Sequence, residues 1–321
     1  MPRSRPATSR PSSSPSPSSP SPSSPSSDAA SRPGAAPRVG GRPAVAVALV
    51  LGGALSLQFG SAIAVLVFER AGALGVVSLR LSVAAVVMML VCRPRLRGRT
   101  GADWRTVACF GLSLGAMNTL FYQAVDRIPI GVAVTLEVLG PLTLSVVASR
   151  RWSSVLWAVL ALAGVGLLGR GGFDRLDPAG AAFALAAGAM WAVYIVFGAR
   201  TARRFSQVDG LALAMVVGAA LSLPLGVASA GRALLDPVTL GLGALVALMS
   251  SVLPYSLELL ALRRIAASTF AVLMSLEPAV AATAGFVVLH QRLGLLDALA
   301  IALVVAASMG AVRTSPAPSS S

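Results

Sequence analysis

Long apolar runs alternate with short polar gaps from Ala44 to Val312. A helix of about 20 residues crosses the roughly 30 Å hydrocarbon core of a bilayer, and most of the runs have about that length. Spanning strands would need about 10 residues of alternating polarity, a pattern that the sequence lacks. We therefore predict an all-α polytopic membrane protein with ten transmembrane helices. The predicted spans are 44–68, 72–92, 104–125, 128–148, 152–169, 178–198, 208–229, 237–260, 265–287 and 293–312.

The two halves of the chain resemble each other at an offset of 137 positions, which aligns Arg127-Ile128 with Arg264-Ile265 and Pro141 with Pro278. Each half would hold five spans, and an odd number gives the halves opposite orientations in the membrane. This is the inverted-repeat design of many transporters. We expect a first five-helix repeat over 44–169 and a second over 178–312.

Both ends of the chain differ in composition from the apolar region. Positions 11–27 contain only Ser and Pro, and Arg residues flank them. Such a segment buries too little apolar surface to offset the entropy lost on ordering. We predict a disordered Ser/Pro/Arg-rich tail over 1–43 and a short tail over 313–321.

Composition supports the membrane prediction and indicates the orientation. Hydrophobic residues make up 55% of the chain and charged residues only 12%, with a mean hydropathy of +0.79. The net charge of +14 comes from Arg residues that lie mostly in short gaps, as in cytoplasmic loops, which argues against nucleic-acid binding. Thirteen of them fall in the loops on one side and the C-terminal tail, against six on the other side. The positive-inside rule then places both termini in the cytoplasm.

Four ionisable side chains lie within predicted spans: Arg80, Glu137, Glu258 and Glu277. Each central charge costs roughly 2.5–3.5 kcal/mol on insertion scales, so such residues usually serve a function. Glu137 and Glu277 are near the middle of the fourth and ninth spans, where we expect them to bind substrate or protons in a polar cavity. A purely structural role, protonated and hydrogen-bonded in the bundle, is the alternative. The two interpretations are even for Glu258, and a structural counter-ion is favoured for Arg80.

Asn118, Tyr194 and Tyr255 are further candidates for the same cavity, although each alone is more often an interhelical contact. Pro141, Pro254 and Pro278 are predicted helix breaks. A proline cannot donate the helical hydrogen bond, so the carbonyls of Glu137, Ser250 and Met274 should lose their usual partners. Broken helices are tolerated in membranes where they line a cavity.

Catalytic and metal-binding motifs are absent from the sequence. It has no GxSxG elbow, no Walker loop and no cluster of His and Cys with metal-ligand spacing. We predict that the protein is not an enzyme and that it uses no cofactor and no metal.

Three stretches resemble EamA-type transporters of the drug/metabolite transporter superfamily. They are YQAVDRIPIGVAVTLEVLGPL at 122–142, LPYSLELLALRRIAASTFAVLMSLEPAVAATAGFVVLHQRL at 253–293 and FGLSLGAMNTLFYQA at 110–124. Within that superfamily they are most similar to the threonine and homoserine exporter subfamily, and the likeness covers about 44–312. The matching positions are Glu137, Gly140, Pro141, Pro254, Tyr255, Glu258, Glu277 and Pro278.

The resemblance implies ten spans in two inverted repeats and export of amino acids, with proton exchange as the driving reaction. The expected location is the bacterial plasma (inner) membrane. The expected partners are a small-molecule substrate, protons and the lipid bilayer, with a homodimer as an open alternative. Two other functions stay open: a broad drug/metabolite efflux transporter, whose site should be wider and more aromatic, and a non-transporting membrane scaffold.

Overall fold

The computed structural model describes residues 43–149, 152–170, 177–262, 264 and 267–314, and every regular element in these ranges is helical. The predicted tails, 1–43 and 313–321, lie outside the described residues except for Pro43, Arg313 and Thr314. The elements are α1 (Pro43–Cys92), α2 (Gly101–Val125), α3 (Ile130–Glu137), α4 (Leu139–Ser149), α5 (Trp152–Arg170), α6 (Pro178–Ala202), α7 (Gln207–Ala230), a 3-10 turn (Gly231–Leu235), α8 (Pro237–Ala247), a π turn (Leu248–Val252), α9 (Leu253–Leu262), α10 (Ala267–Met274), α11 (Glu277–Leu289) and α12 (Leu295–Thr314).

Five helical segments are long and apolar enough to cross a membrane: Val45–Cys92, Pro178–Ala202, Val208–Leu235, Pro237–Glu258 and Val272–Leu289. Large apolar side chains such as Leu66, Val86 and Leu90 are more than half exposed, as expected for surfaces that face lipid. These findings confirm the prediction of an all-helical, multi-pass membrane protein. Each of the ten predicted spans is mostly helical over its described residues, and the number of crossings stays a prediction.

The first two predicted spans lie in two helices that meet at a kink at Gly72, and the label α1 covers both. Gly72 has φ 65° and ψ 168°, a conformation that residues with a Cβ rarely adopt. The space around Gly72 is open, so its backbone conformation and not crowding explains the glycine. The bend divides α1 into a segment before Gly72 and a segment after it.

Two helices of the bundle are interrupted at positions separated by the repeat offset. The α3–α4 helix breaks at Val138, and the α10–α11 helix breaks at Ser275 and Leu276. Pro141 lies in the first turn of α4, and Pro278 follows the first residue of α11. A third irregularity, the π turn, precedes Pro254. Each of the three predicted helix-breaking prolines thus lies close to one of these irregularities, and their role as helix breaks stays a prediction.

Small residues set the closest approaches between helices. A Cβ at Gly111 or Gly115 would collide with α7, and one at Gly131 would collide with Ala282 of α11. The tightest approach joins Gly140 of α4 to Gly188 of α6, where either Cβ would collide with the backbone of the facing helix. Close backbone packing of this kind is the usual basis of helix association in membranes, where burial of apolar surface adds little.

Polar contacts join loops that the Arg distribution assigns to the same side. Near the start of α2, Arg204 forms an ion pair of 2.8 Å with Asp103, and Arg99 Nη1 donates to the Arg204 carbonyl at 2.7 Å. At the opposite end of α2, Arg127 Nε lies 3.8 Å from Asp177 Oδ2. The loops of the two halves are thus tied to each other at both ends of α2.

Candidate functional site

A cavity of about 460 Å³ opens among the helices of the bundle. It contains all seven side chains that the sequence indicated as substrate- or proton-binding: Arg80, Asn118, Glu137, Tyr194, Tyr255, Glu258 and Glu277. Pro141 also lines the cavity, whereas Pro254 and Pro278 are not among its lining residues. Residues far apart in sequence therefore meet in one place, although their roles there stay predictions.

Three carboxyl groups reach the cavity from three helices. Glu137 is the last residue of α3, Glu258 lies in α9 and Glu277 is the first residue of α11. Glu137 and Glu277 are only 9% and 3% exposed. Neither carboxyl group forms a side-chain hydrogen bond with another residue that the structure describes. Buried polar groups are normally hydrogen-bonded, so both carboxyls are available to a ligand in the cavity.

Arg80 is the one basic residue among the described residues that line the cavity, and three hydrogen bonds from its guanidinium hold it in place. Nε donates to Ser251 Oγ at 3.0 Å, Nη1 donates to Tyr122 Oη at 3.2 Å and Nη2 donates to the Ser250 carbonyl at 2.8 Å. The guanidinium also lies 5.4 Å from the centre of the Tyr122 ring. Since a guanidinium has five N–H donors, two are left for other partners.

The carbonyls that the prolines release have different fates. Pro254 frees the Ser250 carbonyl, and Arg80 satisfies it. Pro141 frees the Glu137 carbonyl, because a proline has no N–H to donate. In the structure this oxygen faces Gly188 of α6, because the missing Cβ lets that helix approach. The Glu137 backbone therefore contributes to packing, while its side chain points into the cavity.

The remaining predicted residues contribute to the cavity wall in different ways. Asn118 donates from Nδ2 to the Leu114 carbonyl at 2.9 Å, which leaves its amide oxygen for other contacts. Tyr194 packs on Phe110, with ring centres 4.8 Å apart. Tyr255 aligns with Asn118 at the repeat offset, and both line the cavity.

Tyr194 and Tyr255 were candidates for the cavity, but a larger group of aromatic side chains around them was not expected. Aromatic residues make up only 5% of the chain, yet five of them line this site: Phe121, Trp191, Tyr194, Tyr255 and Phe270. Overall composition cannot reveal such local enrichment. Small hydroxyl residues, Ser61, Ser275 and Ser308, were also missed, because serines in apolar helices commonly bond to their own backbone. Among the described residues, no group of His, Cys, Asp or Glu is placed to hold a metal ion.

Comparison with known proteins identifies the family. The EamA-like transporter family model matches residues 178–313. A protein of Salmonella typhimurium strain LT2, named threonine/homoserine exporter RhtA, is 41% identical over 262 residues, which cover 81% of this chain and 88% of that protein. The protein of that name from Escherichia coli strain K12 is 38% identical over 271 residues, covering 84% and 91%. The chain belongs to the EamA-like transporter family.

Members of the EamA-like family are transporters and not enzymes, in agreement with the sequence prediction. A solved crystal structure also resembles this EamA-like protein, with a TM-score of 0.53 and 22% identity over 85% of this chain and 99% of the other. At that identity the likeness concerns the fold alone.

Proposed function

We propose that this protein is a secondary transporter that exports small amino acids such as threonine and homoserine by proton antiport. The observation that carries the proposal is the cavity, in which three carboxyl groups and one guanidinium meet. The names of the two relatives supply the substrate class, since both are called threonine/homoserine exporters. The alternative of a non-transporting scaffold has no need for buried charges at this position.

The cavity is chemically suited to an amino-acid zwitterion. The substrate ammonium would bind the carboxyl of Glu137, which has no hydrogen-bond partner among the described residues. The substrate carboxylate would bind the two free N–H groups of Arg80, since a guanidinium recognises carboxylates through paired donors. The three hydrogen bonds that Arg80 already makes fix its position, so little ordering would be needed when a substrate binds.

Coupling to protons follows from competition for one carboxyl group. A buried carboxyl is neutral when protonated and stable as an anion only beside a cation. If a proton and a substrate ammonium alternate at Glu137, one must leave before the other binds. This exclusion is sufficient for antiport, and export needs only that the loaded cavity open to each side in turn.

The internal geometry supports two inverted five-helix repeats. At the repeat offset, the segments of α1 before and after Gly72 correspond to α6 and α7, and α2 corresponds to α8–α9. The close approach of Gly60 to Met249 joins α1 to the π turn after α8, and the corresponding pair of elements, α6 and α2, is joined where Gly198 approaches Phe110. The packing of α3 on α11 relates the two broken helices to each other. Such exchange of contacts is expected of an internal twofold axis.

We place both termini in the cytoplasm of a bacterial plasma membrane, as the Arg asymmetry requires. The contacts of Arg204 with Asp103 and of Arg127 with Asp177 support this arrangement, since each joins loops assigned to one side. The broken α3–α4 and α10–α11 helices, which carry Glu137 and Glu277, are the elements that we expect to move during alternating access.

Broad efflux of drugs and metabolites is a second candidate function. The five aromatic side chains in the cavity favour it, because aromatic walls accommodate large apolar ligands. The buried charges favour a small zwitterion instead. A panel of dyes and hydrophobic cations, tested as competitors of threonine, would distinguish the two.

Uptake of labelled L-threonine into inverted vesicles with an acidic interior tests the proposal. We expect uptake that depends on the pH gradient, collapses with a protonophore and is inhibited by unlabelled homoserine. Vesicles without the protein serve as the control. Absence of uptake for every amino acid tested, at normal protein content, would contradict amino-acid export.

A further inference from the structure

We propose that Gln58 and Ser308 recognise a hydroxyl group on the side chain of the substrate. The inference rests on the proposed amino-acid export and specifies which part of the cavity distinguishes one amino acid from another. Gln58 belongs to α1 and Ser308 to α12, and both line the cavity.

Both residues present buried polar atoms without a partner. Gln58 is 4% exposed and Ser308 is 6% exposed. Gln58 Oε1 and Ser308 Oγ form no hydrogen bond within the described part of the chain. Leaving such a group unpaired is costly, and a native structure that does so usually reserves the group for a ligand or a water molecule.

Three other neutral polar side chains in or near the cavity already form hydrogen bonds. Asn118 donates to the Leu114 carbonyl, Ser250 Oγ donates to the Val246 carbonyl and Ser251 Oγ accepts from Arg80. The carboxyls and Arg80 are suited to the charged ends of the zwitterion. A carboxamide and a hydroxyl each offer both a donor and an acceptor, which matches a neutral substrate hydroxyl.

The two halves of the chain do not contribute equally polar residues to the cavity. At the offset of 137, Gln58 aligns with Ile195, which also lines the cavity but is apolar. A cavity with equal halves would treat the two ends of a bound substrate alike. Gln58 therefore gives one side a polar character that the other side lacks, and the substrate side chain can be distinguished by its hydroxyl.

Competition between L-threonine and L-2-aminobutyrate, which lacks only the hydroxyl, tests the inference in inverted vesicles. We expect wild-type protein to prefer threonine. Replacement of Gln58 by Met (Gln58→Met) or of Ser308 by Ala (Ser308→Ala) should each reduce that preference by about tenfold, the value of one hydrogen bond. Uptake of 2-aminobutyrate should be retained, so the loss is one of selectivity.

Ser82 offers a matched control. Its Oγ is also buried without a partner among the described residues, but Ser82 does not line the cavity. Ser82→Ala should leave the preference for threonine unchanged. Ser308→Ala deletes one unpaired oxygen and should fold even if Gln58→Met does not.

Three results would overturn the inference. An unchanged preference in Ser308→Ala protein that transports normally would exclude Ser308, and the same result in Gln58→Met would exclude Gln58. An equal reduction in Ser82→Ala would show a general effect of lost hydroxyls. In each case amino-acid export itself would still stand, whereas failure of wild-type protein to transport either amino acid would contradict the proposed function and this inference with it.

Discussion

The two broken helices differ in where they place their carboxyl groups. Glu137 ends α3, while Glu277 begins α11, although both helices break at positions separated by the repeat offset. That offset aligns Glu277 with Gly140 and not with Glu137. The two breaks therefore carry carboxyls at positions that the offset does not make equivalent.

Helix ends give the two carboxyls different electrostatic surroundings. The N-terminal end of a helix stabilises negative charge, whereas the C-terminal end stabilises cations. Glu277 lies at the first kind of end and Glu137 at the second. A substrate ammonium at Glu137 would be stabilised by both the carboxyl and the end of α3, which makes Glu137 the better candidate for alternating between proton and substrate.

The largest effect is expected from Glu137→Gln, which keeps the size of the side chain but removes its titration. Transport driven by a pH gradient should fall about 10- to 100-fold, the range for a lost charge-assisted hydrogen bond. Glu277→Gln should lower the rate less than tenfold. Initial rates of threonine uptake across pH 6–8, at matched protein content, would measure both.

Glu69→Gln is the control for this pair, because Glu69 is exposed and lies outside the cavity. It should transport as the wild-type protein does. An unchanged rate and pH dependence in Glu137→Gln would refute the role of Glu137. A larger fall in transport rate for Glu277→Gln than for Glu137→Gln would show that Glu277 is the more important carboxyl of the two.

An intermediate effect is expected at Gly140, the repeat counterpart of Glu277. Gly140→Ala would place a Cβ against the backbone of Gly188, and neither backbone can yield easily. We expect a loss of about 1–3 kcal/mol in the free energy of unfolding, as for other overpacked sites. Thermal unfolding in detergent would report it as a fall of several degrees.

Gly166→Ala is a matched substitution on α5, where the added Cβ meets open space. It should raise stability slightly, by up to about 1 kcal/mol, because alanine is the better helix former. Equal melting temperatures for the two variants would show that the close contact between Gly140 and Gly188 does not stabilise the helix break between α3 and α4.

The smallest effect is expected at the starts of α2 and α8, which correspond in the repeat. The Thr100 backbone N–H, the Thr100 hydroxyl and then Arg204 hold the pKa of Asp103 below its usual value. The Thr239 backbone N–H and hydroxyl do the same for the pKa of Asp236. Asn can still accept these cap hydrogen bonds, so Asp236→Asn should change little. Asp103→Asn should lower the melting temperature by at most about 2 °C, since it also loses an exposed ion pair.

The pH dependence of this effect has a definite sign. A carboxyl whose pKa is lowered by folding stabilises the protein above its unfolded pKa, about 3.9, and the benefit is lost as the pH falls through the folded value. Asp103→Asn should therefore melt below wild type at pH 7 and coincide with it near pH 2–3. A difference that persists at low pH, or that survives high salt, would contradict this origin.

Sequence alone predicted the helical character and seven of the side chains that line the cavity, because charged and polar residues in apolar runs are conspicuous. It could not predict which atoms these residues contact. The Glu137 carbonyl faces Gly188, an outcome decided by packing between residues that are 51 positions apart. Likewise, the hydrogen bonds of Arg80 depend on how the segment of α1 after Gly72 meets the π turn, and periodicity contains no information on that contact.

The hydrogen bond from Arg80 to the Ser250 carbonyl also has an evolutionary consequence. Pro254 has no N–H to donate to that carbonyl, and the Arg80 guanidinium donates to it in place of the backbone. Each residue therefore meets a hydrogen-bonding requirement of the other. Lineages that lose one should lose or replace the other. In relatives that lack a proline at this position, a helical N–H would take the carbonyl, and selection would no longer need to preserve a guanidinium at position 80 for that purpose.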